Sequence, residues 1–334
     1  GIYDANYVCN ELKTVVQNFF NAYHDYLVKS GNINDNDFDE FWNIFCEFLQ
    51  KAFKDIRFYR FQIKGIKSAI MKLTDILKST KSGGREKIDY LVISAPTGSG
   101  KTEIMVLTIL IVALARKIIL LMHKFNDDIN TPVALIVYPR RSLANDQVSR
   151  FMRYMSILND IISKRFGNGG KLTMTINYTE VRWRDEYNEA ISKAINGNKN
   201  RNKREIPLTM RYGVFAYLIW DGKDYYVELR FLTCPESGGG TAYPRFRVIT
   251  NGNSYKIDDS TVYCNGNQLD FIALTKDRVK ERLGDVHITI FETLRRNLLM
   301  KSFNNLFGTY RKSDNYEVFD YPLIIVLDEI HTYI

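Results

Sequence analysis

The stretch Ala95-Pro96-Thr97-Gly98-Ser99-Gly100-Lys101-Thr102 decides the fold, because one apolar run precedes it and another follows it. The preceding run, Tyr90–Ile93, predicts a strand, and residues Lys101–Met122 predict a helix. Glycines at such a junction let the backbone curl so that successive N–H groups face an anion at the helix N-terminus. The pattern therefore predicts a phosphate-binding loop between a strand and a helix.

The side chains at the end of this loop have defined chemical roles. Lys101 would reach the β- and γ-phosphates of a nucleotide, and the Thr102 hydroxyl would ligate Mg²⁺. The residues expected to bind the nucleotide are Thr97, Gly98, Ser99, Gly100, Lys101 and Thr102. The alternative is a flexible glycine loop with a solvated lysine.

Further short apolar runs predict more strands of the same kind. They are Val133–Tyr138, Leu172–Ile176, Val286–Ile290 and Leu323–Leu327. Runs that are apolar on both faces are typical of strands in a parallel sheet covered by helices. Helices are expected at Ser142–Phe166 and Phe291–Phe307, which gives repeated βαβ units and an α/β fold.

The last predicted strand ends in two carboxylates, Asp328 and Glu329. Parallel sheets bind ligands at the carboxyl ends of their strands, so these side chains are expected next to the phosphate-binding loop. Asp328 would hold Mg²⁺ through its water shell, and Glu329 would orient and deprotonate an attacking water. On its own, a strand that ends in two carboxylates is common, and its end is usually solvated. Together with the phosphate-binding loop it becomes a specific signal for a nucleotide site.

Two segments lie outside the βαβ pattern. Residues 1–57 show apolar spacings of three and four that predict two amphipathic helices. Residues 166–285 contain the basic stretch 198–204 and strand-like pieces rich in Tyr, Val and Thr, which indicate a β-rich insertion. The α/β lobe is therefore expected in two parts, 58–165 and 286–334.

Composition restricts the class of protein. The 334 residues are 45% hydrophobic and 25% charged with only 7 Pro, which excludes a disordered or collagen-like chain. The longest apolar stretch, Ile104–Ala115, is shorter than the roughly 20 residues that span a bilayer, and no secretory signal is evident. Four cysteines are too few for a disulfide scaffold, so a reducing cytoplasm is expected. The net charge of +8 allows a polyanionic partner but does not require one.

The phosphate-binding loop and Asp328-Glu329-Ile330-His331 together resemble motifs I and II of superfamily 2 nucleic-acid helicases, the DEAD/DEAH-box group. The resemblance implies a RecA-like P-loop NTPase lobe with ATP and Mg²⁺ as cofactors. Phe61-Gln62-Ile63-Lys64-Gly65-Ile66 resembles the segment whose glutamine contacts adenine, which points to Gln62.

Two segments resemble the nucleic-acid motifs of the same family. Tyr138–Gln147 is similar to motif Ia, which grips the backbone of one strand, although Arg140 stands where the family usually has Thr. Two adjacent arginines, Arg140 and Arg141, suit phosphate oxygens, and solvated surface charges are the alternative. Thr289–Leu294 with Arg295 and Arg296 resembles motif Ib, which implies backbone contacts from Thr289 and Arg295.

The segment Asp328–Tyr333 resembles the extended motif II of Lhr-like helicases and of the helicase subunit of DISARM anti-phage systems. The resemblance implies that His331 couples the nucleotide site to the nucleic-acid site. The chain stops shortly after this motif, so we expect an excerpt whose second RecA-like lobe, with its arginine finger, lies outside it.

Within the insertion, Cys234-Pro235-Glu236-Ser237-Gly238 and Cys264-Asn265-Gly266-Asn267 resemble the two knuckles of a zinc ribbon, each lacking its second cysteine. Two thiolates cannot close a four-ligand zinc site, so no zinc is expected. A hairpin that keeps the ribbon shape without metal is the preferred interpretation, and a disulfide between Cys234 and Cys264 stays open.

The sequence thus predicts the first motor lobe of a cytoplasmic, ATP-dependent helicase or translocase. Its partner would be DNA, single-stranded or duplex with a single-stranded end, or RNA. Further subunits are conceivable, and no membrane is expected. Because an arginine finger contributes about 10³–10⁵ in rate to related reactions, the isolated lobe should bind nucleotide but hydrolyse it poorly.

The alternatives are a nucleotide-gated DNA- or protein-binding subunit of a defence complex and an unrelated P-loop kinase or NTPase. The basic residues Lys199, Arg201, Lys203 and Arg204 are a further candidate contact with nucleic acid.

Overall fold

The computed structural model describes residues 1–28, 35–81, 89–94, 98–123, 131–197, 203–211, 213–235, 242–300, 306, 309–313, 316–320 and 322–329. The chain divides into two compact units. The first contains residues 1–134, 157–172 and 305–326, and the second contains residues 135–156, 173–304 and 327–334.

The helices, in chain order, are α1 (Ala5–Leu27), α2 (Asp35–Ala52), α3 (Arg60–Lys81), α4 (Lys101–Met122), α5 (Arg141–Phe166), α6 (Arg184–Asn196), α7 (Lys276–Glu281) and α8 (Phe291–Leu299), with a 3₁₀ turn at Asn168–Gly170. The strands are β1 (Ile2–Tyr3), β2 (Phe58–Tyr59), β3 (Ala134–Tyr138), β4 (Met174–Asn177), β5 (Glu205–Met210), β6 (Gly213–Trp220), β7 (Tyr225–Glu228), β8 (Arg245–Asn251), β9 (Ser254–Cys264), β10 (Asn267–Leu269), β11 (Ile272–Ala273), β12 (Val286–Ile290), β13 (Thr309–Ser313), β14 (Tyr316–Asp320) and β15 (Ile324–Leu327).

The N-terminal residues form the two predicted helices. The Asp4 carboxylate accepts a hydrogen bond from the Tyr7 N–H at 2.8 Å and so caps the start of α1. The apolar faces of α1 and α2 meet through aromatic side chains, with the rings of Phe20 and Phe41 stacked 5.1 Å apart. These contacts bury the amphipathic faces that the sequence spacing predicts.

Helix α4 is apolar on nearly every face and is buried in the first unit. The residues from Ile109 to Ala115 are fully buried, and α1, α2 and α3 all pack against the helix. Of the described residues, only α4 forms a helix long and apolar enough to cross a membrane, and 78% of its most apolar window is buried inside the protein. A core helix has the same properties, so this is weak support for a membrane span.

Five strands form a parallel sheet in the order β11-β4-β12-β3-β15. Strand β4 pairs in parallel with both β11 and β12, with Met174 opposite Val286 and Thr175 opposite His287. Strands β3, β4 and β12 are buried along their whole length, which confirms the expectation of strands covered on both faces. The mixed α/β class predicted from the sequence is therefore correct.

Two predicted strands differ from the structure. Tyr90–Ile93 has no strand structure, and Tyr90 and Val92 are 81% and 72% exposed. No neighbouring strand supplies a hydrogen-bond ladder to this run in the described part of the chain, and apolarity alone does not form a strand. Leu323–Leu327 does form β15, but at the edge of the sheet, where Ile325 is 52% exposed, so the expectation of a strand buried on both faces is wrong.

The other predicted helices of the lobe are found where the sequence places them. Helix α5 begins one residue before the predicted Ser142. Helix α8 begins at the predicted Phe291 but ends at Leu299, and Met300 caps its C-terminus. The remainder of the predicted Phe291–Phe307 helix falls largely outside the described residues.

The predicted insertion contains a six-stranded antiparallel sheet in the order β10-β9-β8-β7-β6-β5. Alternate residues point inward, as at Leu218, Val227 and Phe246, which lie in register across β6, β7 and β8 and are buried. Helix α6 covers this face, where the buried Tyr187 ring contacts Phe246. The predicted β-rich character is thus observed, although β4 and β11, within the predicted range 166–285, belong to the parallel sheet.

All four cysteines are paired, which corrects the expectation that the chain carries no disulfide framework. Cys9 of α1 is bonded to Cys46 of α2, and Cys234 is bonded to Cys264 at the end of β9. The sequence interpretation rested on the number of cysteines, whereas pairing depends on which side chains the fold brings together. The open alternative of a Cys234–Cys264 disulfide is the one the structure contains.

Gly284, which precedes β12, offers a test of the packing of the parallel sheet. A Cβ atom built there would lie 2.7 Å from the Cα atom of Met174 and 2.8 Å from its carbonyl carbon and nitrogen. Gly284→Ala must therefore displace backbone, and we expect it to lower the free energy of unfolding by about 1–3 kcal/mol in urea denaturation followed by circular dichroism. Gly169→Ala is the matched control, because a Cβ atom there meets nothing within 4 Å. Equal stability of the two variants would contradict this packing.

His287 predicts a pH dependence of stability. The Gly284 N–H donates to Thr175 Oγ1 at 3.1 Å, and the Thr175 hydroxyl lies 2.7 Å from His287 Nδ1. Burial lowers the pKa of His287 to about 3, whereas an unfolded histidine titrates near 6.5. As the pH falls from 6.5 toward 3, only the unfolded state takes up this proton, and stability is lost at about 1.4 kcal/mol per pH unit.

His287→Gln removes this titration. We expect the wild type to lose about 2 kcal/mol more unfolding free energy than the variant between pH 7 and pH 5. The measurement is urea denaturation of both proteins at each pH. Parallel pH profiles would show that His287 is protonated in the folded state.

Candidate nucleotide and nucleic-acid sites

The described end of the phosphate-binding loop has the backbone that its glycines predict. Gly98 and Gly100 have φ values of +77° and +83°, in the left-handed region that favours glycine. Gly100 is the N-cap of α4, and its carbonyl accepts a hydrogen bond from the Glu103 N–H at 3.2 Å. Lys101 and Thr102 therefore form the first turn of a helix whose N–H groups are available to an anion.

Gln62 binds the phosphate-binding loop directly. Its side-chain oxygen accepts a hydrogen bond from the Tyr59 N–H at 2.7 Å, and its side-chain nitrogen donates to the Gly100 carbonyl at 2.9 Å. The side chain is 4% exposed, so both bonds are shielded from water. A Cβ atom on Gly100 would collide with Gln62 Nε2, so the contact requires glycine at this position.

The loop is suited to an anionic ligand. Among the described residues, the buried Ser99 hydroxyl has no hydrogen-bond partner, and a Cβ atom on Gly98 would meet open space. A buried polar group without a partner is costly unless a ligand or water completes it. The hydroxyl, the helix N-terminus and Lys101 thus fit the phosphates of a nucleotide with its Mg²⁺.

The carboxylates after β15 lie in a tight turn. The Asp328 N–H donates to the Val137 carbonyl at 3.2 Å, which continues the pairing with β3. Glu329 is exposed and has φ of +50°, and its N–H donates to the Asp328 carboxylate at 3.0 Å. A left-handed conformation at a residue other than glycine is uncommon and is often found at functional sites.

The predicted motif Ia and Ib segments meet at one cleft of about 570 Å³ in the second unit. Its lining residues are Pro139, Arg140, Arg141, Ser142, Asn145, Glu180, Ile290 and Glu292. The ends of β3 and β12 and the starts of α5 and α8 supply most of these residues. The two arginines predicted to bind nucleic acid therefore line a shared concave surface.

Acidic side chains in the cleft balance part of this positive charge. Arg141 Nη1 lies 3.6 Å from Glu180 Oε1, and the Arg141 side chain is 57% exposed.

The Tyr178 hydroxyl donates to Asn145 Oδ1 at 2.8 Å. Burial, assisted by the charge of Glu180, raises the pKa of Tyr178 well above 10, so it is a neutral donor.

Sequence reasoning missed Glu180 and Glu292 as components of the cleft. Glu180 follows the end of β4, at the same edge of the sheet as Arg140, which is the signal that could have identified it.

The predicted contacts Thr289 and Arg295 do not line the cleft: Thr289 is buried and donates to the Asn177 carbonyl at 2.7 Å, while Arg295 is exposed on α8. The predictions at Thr97, His331, Lys199 and Arg201 lie outside the described residues.

Part of the chain is similar to a known family. The family model for the DEAD/DEAH box helicase matches residues 66–186, about a third of the chain, which include Lys101, Thr102, Arg140 and Arg141. No curated protein and no solved structure matches the chain significantly. The finer resemblance to Lhr-like helicases and to DISARM subunits receives no support.

The matched region, the α/β fold and the phosphate-binding loop agree with one another. DEAD/DEAH box helicases are ATP-dependent nucleic-acid motors that generally use ATP and Mg²⁺. Residues 66–186 are thus similar to the DEAD/DEAH box helicase family.

Proposed function

We propose that this chain is the ATP-binding motor lobe of a helicase or translocase acting on DNA in the cytoplasm, and that a second RecA-like lobe completes it for hydrolysis. The observation that carries the proposal is the phosphate-binding loop, whose left-handed Gly100 begins a buried helix and is bound by Gln62. A helix N-terminus held rigidly in this way is organised for a nucleotide before one binds.

The nucleotide is held by residues from several elements. Lys101 neutralises the β- and γ-phosphates, and Thr102 and Asp328 hold Mg²⁺. Gln62 donates one amide hydrogen to the Gly100 carbonyl and contacts adenine with the other. Glu329 takes the proton from the attacking water, and His331 transmits the state of the nucleotide to the nucleic-acid site. Mg²⁺ and ATP supply the electrophilic phosphorus and its charge neutralisation when bound.

The nucleic acid occupies the cleft lined by Arg140 and Arg141. Guanidinium groups bind phosphate oxygens in a fork, without regard to base sequence, which suits a motor that must move along any sequence. Arg295, exposed on α8, adds a backbone contact beside it, whereas the buried Thr289 hydroxyl is bonded to the Asn177 carbonyl. Arg140 and Arg141 are both exposed, so a strand can reach them without unfolding of the surrounding elements.

Lys101→Ala tests the nucleotide site. Loss of the phosphate-binding ammonium should weaken binding of a fluorescent ATP analogue by tenfold or more, measured by anisotropy with Mg²⁺. Lys164→Ala is the matched control, because Lys164 is an exposed lysine that pairs with Asp160 along α5. Unchanged affinity in Lys101→Ala would refute the nucleotide site.

Arg140→Gln/Arg141→Gln tests the nucleic-acid site. Each phosphate contact contributes about 0.7 to the slope of log affinity against log salt for a single strand, so the double variant should lower the slope by about 1.4 and the affinity several-fold. The assay titrates a labelled single-stranded oligonucleotide at several salt concentrations, in DNA and RNA forms of one sequence.

Arg57→Gln, an exposed arginine in the first unit, is the control for general charge loss. An unchanged salt slope in the double variant would rule out the cleft as the binding site. Tighter binding of the RNA form by the wild type would overturn the proposed DNA preference.

A further inference from the structure

The Cys234–Cys264 disulfide joins a loop to the sheet of the second unit. Cys234 belongs to the loop that follows β7, and Cys264 is the last residue of β9. Cys264 is 3% exposed, whereas Cys234 is only partly buried. Cys234 is therefore the more accessible of the two cysteines to a thiolate from solution.

The same loop contacts the elements that support the cleft. The Thr233 N–H donates to the Ser149 hydroxyl of α5 at 3.1 Å. The Phe231 ring packs edge-on against Tyr178, with centroids 6.3 Å apart and an interplanar angle of 78°. Both contacts lie within three residues of Cys234.

These contacts lead directly to the cleft. Tyr178 donates to Asn145, which lines the cleft, and Ser149 lies one turn further along the same helix. The Ser149 hydroxyl also donates to the Asn145 carbonyl at 3.0 Å. Two sets of contacts therefore connect the disulfide-bonded loop to Asn145. One runs from Phe231 through Tyr178, and the other from Thr233 through Ser149.

We propose that the Cys234–Cys264 disulfide is a thiol-exchange site whose oxidation state sets the affinity of the Arg140–Arg141 cleft for nucleic acid. The inference rests on the proposed function of that cleft. The co-reactant is a small-molecule thiol of the glutathione class. Inside cells, where such thiols are abundant, disulfides are typically transient or redox-sensing.

Reduction of the Cys234–Cys264 disulfide by thiol exchange takes two steps. A thiolate attacks the Cys234 sulfur, the S–S bond breaks, and Cys264 leaves as a thiolate that takes a proton from solvent. A second thiolate then attacks the external sulfur of the mixed disulfide and releases Cys234 as a thiolate. Two electrons pass from the two external thiols, which become a disulfide, to the two protein sulfurs.

Reduction loosens the loop that supports Asn145. With the S–S bond broken, the backbone hydrogen bond from the Cys234 N–H to the Ala242 carbonyl, 2.9 Å long, still ties the loop near the former bond. Leu229 and Leu232 of the loop stay buried after reduction, so the segment that loses its covalent tie and opens more readily is the one around Thr233 and Cys234. The oxidised protein should therefore bind a single strand more tightly than the reduced protein.

The test measures the affinity of the full 334-residue protein for a labelled single-stranded oligonucleotide in oxidising and in thiol-reducing buffer. Reduction is expected to weaken binding about fivefold, at the low end of couplings between sites. Cys234→Ser/Cys264→Ser should bind with the weaker affinity in both buffers. Cys9→Ser/Cys46→Ser, which removes the disulfide between α1 and α2, is the matched control and should keep the fivefold shift.

Phe231→Ala keeps all four cysteines. It is a second test of the coupling if the double serine variant does not fold. It should lower affinity in oxidising buffer and reduce the ratio between the two buffers. Equal wild-type affinities in both buffers, or loss of the shift in Cys9→Ser/Cys46→Ser, would overturn this inference and leave the proposed function intact. No binding in either buffer would overturn both.

Discussion

The burial of α4 is the constraint on which the nucleotide site depends. This helix is apolar on nearly all sides and is enclosed by α1, α2 and α3, so it cannot rotate or slide without exposing apolar surface. Its first residue, Lys101, follows directly from Gly100. Fixing the helix therefore fixes the position at which the phosphate-binding loop must end.

Close packing of α3 against α4 extends this constraint to Gln62. A Cβ atom on Gly65 would lie 2.8 Å from Ile104 Cδ1, so glycine at this position lets the two helices approach closely. Gln62 lies one turn before Gly65 on the same face of α3, which places its amide against the Gly100 carbonyl. The polar contact at the loop is thus a consequence of apolar packing one turn away.

The sequence predicts those parts of the fold that local patterns determine. The bounds of α4 and β12 agree with the apolar runs, because each run is buried where it lies. Tyr90–Ile93 and β15 show where this reasoning fails. An apolar run shows which residues can be buried, but it does not show whether a neighbouring strand covers them, and that depends on residues far away in sequence.

The same distinction applies to the sites. The loop glycines, Lys101 and the Arg140–Arg141 pair are local signals that the sequence alone displays. Glu180 and the Cys234–Cys264 disulfide depend on which chain segments meet in space. The two cysteines are 30 residues apart, and only the pairing of the antiparallel strands brings the end of β9 to the loop after β7.

The cleft carries charges of both signs. Arg140 and Arg141 share the cleft lining with Glu180 and Glu292, so the lining carries little excess charge despite the +8 of the whole chain. The Arg141–Glu180 pair is largely solvated at 3.6 Å, and such exposed pairs contribute about 0–1 kcal/mol. Arg141 can therefore exchange Glu180 for a phosphate oxygen at little cost, while the carboxylate repels anions that do not offer a phosphate in the right place. If the cleft binds nucleic acid as proposed, this arrangement favours an ordered phosphate backbone over bulk attraction of polyanions.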